Sequence, residues 1–262
     1  MAERFAKGSL QGLTRAEIID SFSASRVGRA LDPLAHLLRR SGAISSGHES
    51  ARVLALAFAY AHSEEIPGDY AEFGVWQGRT FVEAWRIGTK LSRDRRYFAF
   101  DSFEGLPETE GIDDTGRWEA SEFSFARQSF EARLRRAKVP AAEVEIVEGF
   151  YDATLAPGNS IPLEKVAIAW VDCDLYSSTV PVLEFLEPRL SQGAIVLFDD
   201  WFCFKGDPDK GEAKATAEWL EQNPGITLVP WRQFNWAGQA FILRRADGVA
   251  PAAPQDETAA GG

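Results

Sequence analysis

Val166-Ala167-Ile168-Ala169-Trp170-Val171, running directly into Asp172-Cys173-Asp174, is the stretch that decides the fold. An apolar run of this length, uninterrupted by polar residues, is short for a helix and has the composition of a buried strand. A second run, Ala194-Ile195-Val196-Leu197-Phe198, ends in the same way, in Asp199-Asp200. If the two strands are parallel neighbours, their carboxyl ends bring all four carboxylates to one edge of the sheet, where open α/β sheets bind ligands. Like charges placed together repel, and a hard divalent cation such as Mg²⁺ relieves the repulsion while leaving coordination positions for substrate oxygens. The competing explanation is that some of these aspartates cap helices or occupy turns. That explanation is strongest for Asp174, because Ser177 and Ser178 follow it and a helix starts nearby. Two independent strand ends carrying the same chemistry favour a site.

Outward from these strands, strand-like and helix-like segments alternate from Gly68 onward, which implies βαβ units and a mostly parallel sheet. Strands are predicted at 69–75, 97–101, 144–147, 166–172 and 193–199, with helices at 80–91, 120–137, 179–190 and 212–222. Ile226–Trp231 and Gln239–Leu243 are joined too briefly for a parallel crossover, so they should pair antiparallel. The expectation is a seven-stranded, mostly parallel α/β sheet with helices on both faces and a C-terminal antiparallel hairpin strand. This architecture resembles the Rossmann-like class I S-adenosylmethionine methyltransferases. Before it, helices are expected at 15–40 and 49–62, the second with Ser45 or Ser46 as N-cap. The chain thus divides into an N-terminal helical extension or lid (1–66), a core (67–246) and a disordered tail (247–262).

The net charge of −11 argues against a protein that grips nucleic acid through its phosphates. Two cysteines, Cys173 and Cys203, give no support to a disulfide scaffold, and a reducing cytoplasm is the simplest compartment. The first residues lack an apolar export signal, and no run approaches the ~20 apolar residues of a membrane span.

Glu72-Phe73-Gly74-Val75-Trp76-Gln77-Gly78 lies at a strand-to-helix turn, with glycines that let backbone approach a ligand. It matches the E-x-G-x-x-x-G loop that methyltransferases place against the methionine part of their cofactor. The next strand ends in Phe100-Asp101-Ser102-Phe103, where an acid can accept both ribose hydroxyl protons. Asp101 could also be a plain turn residue. Glu148-Gly149-Phe150-Tyr151 follows the third strand and offers aromatic faces to an adenine ring, or two core residues closing a loop.

With Asp101-Ser102-Phe103-Glu104-Gly105-Leu106-Pro107 and Asp172-Cys173-Asp174-Leu175-Tyr176-Ser177-Ser178-Thr179 added to the glycine loop and Asp199-Asp200, the chain resembles the macrocin-type sugar O-methyltransferase family from about Gly68 to Leu243. The resemblance implies an S-adenosylmethionine cofactor, a Mg²⁺ ion, and a sugar or sugar-containing small molecule as methyl acceptor. It also implies a homo-oligomer. The expected cofactor contacts are Glu72, Phe73, Gly74, Gly78, Asp101, Ser102, Gly149, Phe150 and Asp172. Carried over by position from the family, Asp172, Asp199 and Asp200 hold the metal, and Asp174 is the general base. Cys173 stands where the family pattern carries glycine, and Trp201-Phe202-Cys203-Phe204 is a bulky continuation after the doublet.

Trp201, Trp231 and Trp236 are candidates to stack on a sugar, although the last two also suit the flanks of the hairpin. The acids from Glu104 to Asp114 read as a mobile loop or lid. His36, His48 and His62 lie in or beside the N-terminal helices and read as surface or packing residues. Two other functions compete. A metal-dependent glycosyltransferase would use Asp172 and Asp174 but leaves the glycine loop and the hairpin unexplained, and a non-catalytic partner protein would not keep all four aspartates.

Overall fold

A computed structural model describes residues 47–91 and 94–246. The expected helix at 15–40, the proposed caps Ser45 and Ser46, His36 and the tail at 247–262 lie outside the described residues.

The chain runs α1 (Gly47–Ser63), β1 (Asp69–Phe73), α2 (Arg79–Leu91), β2 (Tyr97–Asp101), α3 (Arg127–Ala137), β3 (Val144–Glu148), the single turn α4 (Tyr151–Thr154), β4 (Val166–Val171), α5 (Tyr176–Leu186), β5 (Leu190–Phe198), α6 (Gly211–Gln222), β6 (Ile226–Phe234) and β7 (Gly238–Arg245). Among the described residues, seven strands form one sheet in the order β3-β2-β1-β4-β5-β7-β6. The five strands β1 to β5 are parallel, and β7 runs antiparallel to both β5 and β6. The expected seven-stranded α/β sheet with its antiparallel end is therefore the fold.

Strand order explains the burial pattern. β4 lies between β1 and β5 and is buried at every position, as a strand covered by helices on both faces must be. Side chains alternate between two cores. Tyr70, Trp170 and Leu197 join Val53, Leu54 and Phe58 of α1 and Phe81 of α2 on one face. Phe73, Val171 and Phe198 join Val182 and Leu186 of α5 and Trp219 of α6 on the other. The helix expected within the N-terminal extension thus packs its apolar stripe into the sheet, and one compact unit begins at Gly47.

The chain builds outward through β1, β2 and β3 and then crosses back to β4 on the other side of β1. Strand order reverses between β1 and β4, and the crevice above their carboxyl ends is where such sheets hold ligands.

Two helices differ from expectation. The helix predicted from Ala120 starts at Arg127, because Ser121 and Phe123 take left-handed backbone conformations, with φ of 62° each, that no helix accommodates. The helix predicted from Thr179 starts at Tyr176.

Candidate active site

The crevice is open at its floor. The last apolar residues of β1, β2, β4 and β5 are buried, whereas Gly74, Asp101, Ser102, Gly149, Phe150, Asp172 and Asp199 are only half-buried. Gly74 follows β1 with φ of 88°, and a Cβ there would lie 2.0 Å from the Asp172 carbonyl oxygen. Only glycine lets the first turn and the end of β4 come this close. The Asp172 amide donates to the Phe73 carbonyl at 2.9 Å, so the glycine turn and the first acid of the D-x-D form one backbone unit. Gly78, with φ of 70°, faces the Phe130 ring at 2.5 Å from a would-be Cβ and fixes the start of α2.

Asp101 gathers this turn. One carboxylate oxygen accepts the Val75 and Trp76 amides, each at 2.8 Å, and the other accepts the Phe103 amide at 2.7 Å. Burial raises its proton affinity, and the three amide bonds oppose that rise. The residue expected to meet a ribose therefore also anchors the glycine loop. Ser102 donates to the Gly105 carbonyl at 2.9 Å and accepts from the Glu104 amide at 3.1 Å, which makes it a turn former. The Gly149 amide donates to the Asp101 carbonyl at 3.0 Å, bringing the loop after β3 to the same place, with Phe150 half-buried beside it. Two expected cofactor residues sit below the floor. Phe73 is fully buried, stacked on Phe100 at 4.4 Å, and Glu72 accepts from the Tyr70 hydroxyl at 2.5 Å. Burial holds the Glu72 carboxyl well above the ordinary range.

The acids divide into two sets. Asp172, Asp174 and Asp200 each offer a carboxylate oxygen, all within 4.8 Å of one another. Asp199 lies outside this group and accepts from Asn235 Nδ2 at 3.0 Å. The reason is the pleat: consecutive residues at a strand end point to opposite faces, so Asp199 turns toward α1 and the hairpin and Asp200 toward α6. Asp199 still dominates the charge felt by Asp172. Burial and then the charges of Asp199, Asp200, Asp174 and Glu212 raise the Asp172 carboxyl well above its usual range. Burial and Asp200 do the same to Asp174. Asp199 is raised to about 7 by burial and by Asp200, with Asn235 opposing. Asp174 and Asp200 lie in hydrogen-bonding reach, which two carboxylates achieve by sharing a proton or a cation. Three hard oxygen donors at this separation suit a divalent cation such as Mg²⁺. Cys203 Sγ donates to Asp200 Oδ1 at 2.6 Å.

Asp174 has φ of 59° and sits one residue before the N-cap of α5, but it does not cap the helix. Asp113 does: its two oxygens accept the Tyr176 and Ser177 amides at 2.8 and 2.9 Å. Asp113 is 3% exposed, so the acidic segment expected to be a mobile lid is strapped to α5 at this point. That long-range cap also starts the helix three residues earlier than its own sequence indicates.

The rim is aromatic. The Arg117 guanidinium stands over Trp118 at 4.8 Å and over Phe204 and Trp236 at 5.8 Å each, joining the strap, the loop after β5 and the hairpin turn. Trp236 is 56% exposed and is the tryptophan available to a ligand. Trp201 packs against Phe241 at 4.8 Å and Phe198 at 5.1 Å, so the tryptophan favoured by sequence lies against the core. Trp231 packs on Tyr60, and His62 is exposed at the end of α1.

Glu212 and Asn235 escaped the sequence reading, in which Asp113 belongs only to a mobile acidic loop and is not a cap. Glu212 is an acid in the first turn of a helix, normally explained by the helix dipole, and only its burial marks it out.

The family model described as Macrocin-O-methyltransferase (TylF) matches residues 41–219. The chain is 33% identical over 147 residues to an 8-demethyl-8-(2,3-dimethoxy-alpha-L-rhamnosyl)-tetracenomycin-C 4'-O-methyltransferase of Streptomyces olivaceus, covering 53% of this chain and 55% of that protein. It is 28% identical over 145 residues to a mycinamicin III 3''-O-methyltransferase of Micromonospora griseorubida, covering 52% and 56%. The chain thus spans about half the length of these relatives. In fold it is similar to the O-methyltransferase NovP, with a TM-score of 0.62 and 22% identity over 76% of this chain and 80% of that one.

Proposed function

The chain belongs to the macrocin O-methyltransferase family, and from that membership we propose that it moves a methyl group from S-adenosylmethionine to a hydroxyl of a sugar or sugar-bearing small molecule, with Mg²⁺ as metal. The observation that supports the reading is the close approach of Gly74 to the Asp172 carbonyl, which leaves a glycine turn and an acid group side by side at one switch point. The relatives' acceptors, a rhamnosyl tetracenomycin and a mycinamicin, point to a natural-product glycoside.

The donor would lie over the turns that follow β1, β2 and β3, its ribose near Asp101 and its base near Gly149 and Phe150. Asp172 and Asp200 would hold the cation from β4 and β5, with Asp199 contributing from the α1 side. When bound, Mg²⁺ supplies Lewis-acid and template chemistry to the acceptor hydroxyls. Asp174 takes the hydroxyl proton as the methyl moves. Burial raises its proton affinity, which suits a general base better than an ordinary surface aspartate. Asp101 keeps the glycine loop in place, and the sulfonium methyl needs no further activation, so the remaining task of the chain is alignment. Trp236 and Arg117 at the rim offer an aromatic face to the acceptor.

S-adenosylhomocysteine release against a panel of glycosides and nucleotide sugars, with Mg²⁺ and with EDTA, tests the reading. Release that requires both a glycoside and a divalent cation is expected. Tight binding of a nucleotide sugar with none of S-adenosylmethionine would favour the glycosyltransferase alternative.

A further inference from the structure

We propose that Glu212 is a positioning residue, a buried carboxylate that latches the turn after β4 to the turn after β5 and thereby fixes the gap between the acids that hold the cation. The inference rests on the metal site proposed above and adds to it a determinant of affinity and ion size.

The β4–β5 ladder ends where the two motifs begin. Val171 is the last residue of β4 in register, opposite Phe198, and the Asp199 amide donates to the Val171 carbonyl at 3.0 Å. Beyond that point Glu212, from the first turn of α6, joins the two chains. One of its oxygens accepts the Cys173 amide at 3.4 Å and the other the Asp200 amide at 3.0 Å. Cys173 stands between Asp172 and Asp174, so each oxygen of one carboxylate holds a different half of the cation cradle.

The side chain is 1% exposed and belongs to a helix start pressed against the site, since a Cβ on Gly211 would lie 3.5 Å from the Asp174 carbonyl oxygen. An additional buried acid beside Asp172, Asp174 and Asp200 is electrostatically unfavourable, and the two amides are what it receives in return. Glutamine has one acceptor oxygen and would turn an N–H toward the other amide, and alanine would leave both amides without the carboxylate. A partner of this kind outside the ligand shell orients the ligands and tunes the metal.

The test measures metal binding without turnover. Mn²⁺ is titrated by its electron paramagnetic resonance signal, and Mg²⁺ and Ca²⁺ are titrated in competition, for the wild type, Glu212→Gln and Glu212→Asp. The aspartate keeps the charge but is one methylene too short to reach both amides. Positioning predicts that both variants lose about 10- to 100-fold in Mn²⁺ affinity. It also predicts that the Mg²⁺ to Ca²⁺ preference narrows in both, with S-adenosylhomocysteine binding by calorimetry unchanged. Wild-type behaviour of Glu212→Asp, or equal weakening of all three ions, overturns the proposal in favour of a charge effect. Loss of the fold in both variants overturns it in favour of a structural acid. A wild type that binds no divalent cation would instead remove the metal site itself.

Discussion

Asp199 and Asp200 show how much a single pleat decides. Adjacent in sequence, they part to opposite faces, so one accepts from Asn235 and the other closes a group with Asp172 and Asp174. Two residue-scale consequences follow. Asp174→Asn removes the proton acceptor and little volume, and should reduce turnover by about 10²- to 10⁴-fold with S-adenosylhomocysteine affinity retained. Single-turnover rates beside calorimetric binding check it, and undiminished turnover would assign proton removal elsewhere. Gly74→Ala acts differently. It forces a β-carbon into the Asp172 carbonyl at a φ of 88°, a strain of about 1–3 kcal/mol, and it should weaken donor and metal binding together because the two share that backbone. Denaturant unfolding and the two binding titrations would show whether both losses occur.

At the scale of elements, what was legible in the sequence and what was not follow from the range of the forces involved. β4 and the second half of β5 announce themselves because their burial on both faces demands uninterrupted apolar runs, and Asp172, Asp174, Asp199 and Asp200 sit where those runs end. The starts of α3 and α5 are not local facts. α3 waits for a strap whose turns occupy Ser121 and Phe123, and α5 is capped by Asp113 from 63 residues away. Glu212 likewise takes its amide partners from the turns after β4 and β5, 39 and 12 residues before it, and Trp201 and Trp236 exchange expected places because exposure depends on what the hairpin covers. The strap gives an element-scale prediction. Asp113→Ala should destabilise the protein by about 0.5–2 kcal/mol, the usual cost of a lost N-cap. It should also open residues 102–126 to limited proteolysis, whereas Glu108→Ala, in an exposed part of the same segment, should do neither.

For the whole molecule, the acid group links folding to pH and to metal in opposite senses. Asp172, Asp174, Asp199 and Glu212 all have carboxyls raised in the folded state, first by burial and then by neighbouring acids, with Asp200 foremost for the last three and Asp199 for Asp172. Asp199 itself is raised to about 7 from 3.8. The folded chain therefore holds more protons than the unfolded chain across that interval, so stability declines as pH rises. The stabilisation is fully present below the unfolded value and is lost as each folded value is passed, which for Asp199 places the fall between about pH 4 and 7. Glu218, whose carboxyl is lowered by hydrogen bonds from Lys214 and Tyr176, opposes this at the acid end, so the decline should be visible above about pH 5. A bound cation reverses the sense, because it takes the ionised acids and binds better as pH rises. At a hundredfold excess over its dissociation constant it adds about 2.7 kcal/mol, or roughly 5–10 °C for a domain of this size. Melting scans from pH 5 to 8 in EDTA should fall with pH, and scans in excess Mg²⁺ should hold level or rise, the two diverging most at pH 8. Superimposable curves would mean that the acid group holds no cation, and the metal site would have to be abandoned whatever the enzyme's turnover.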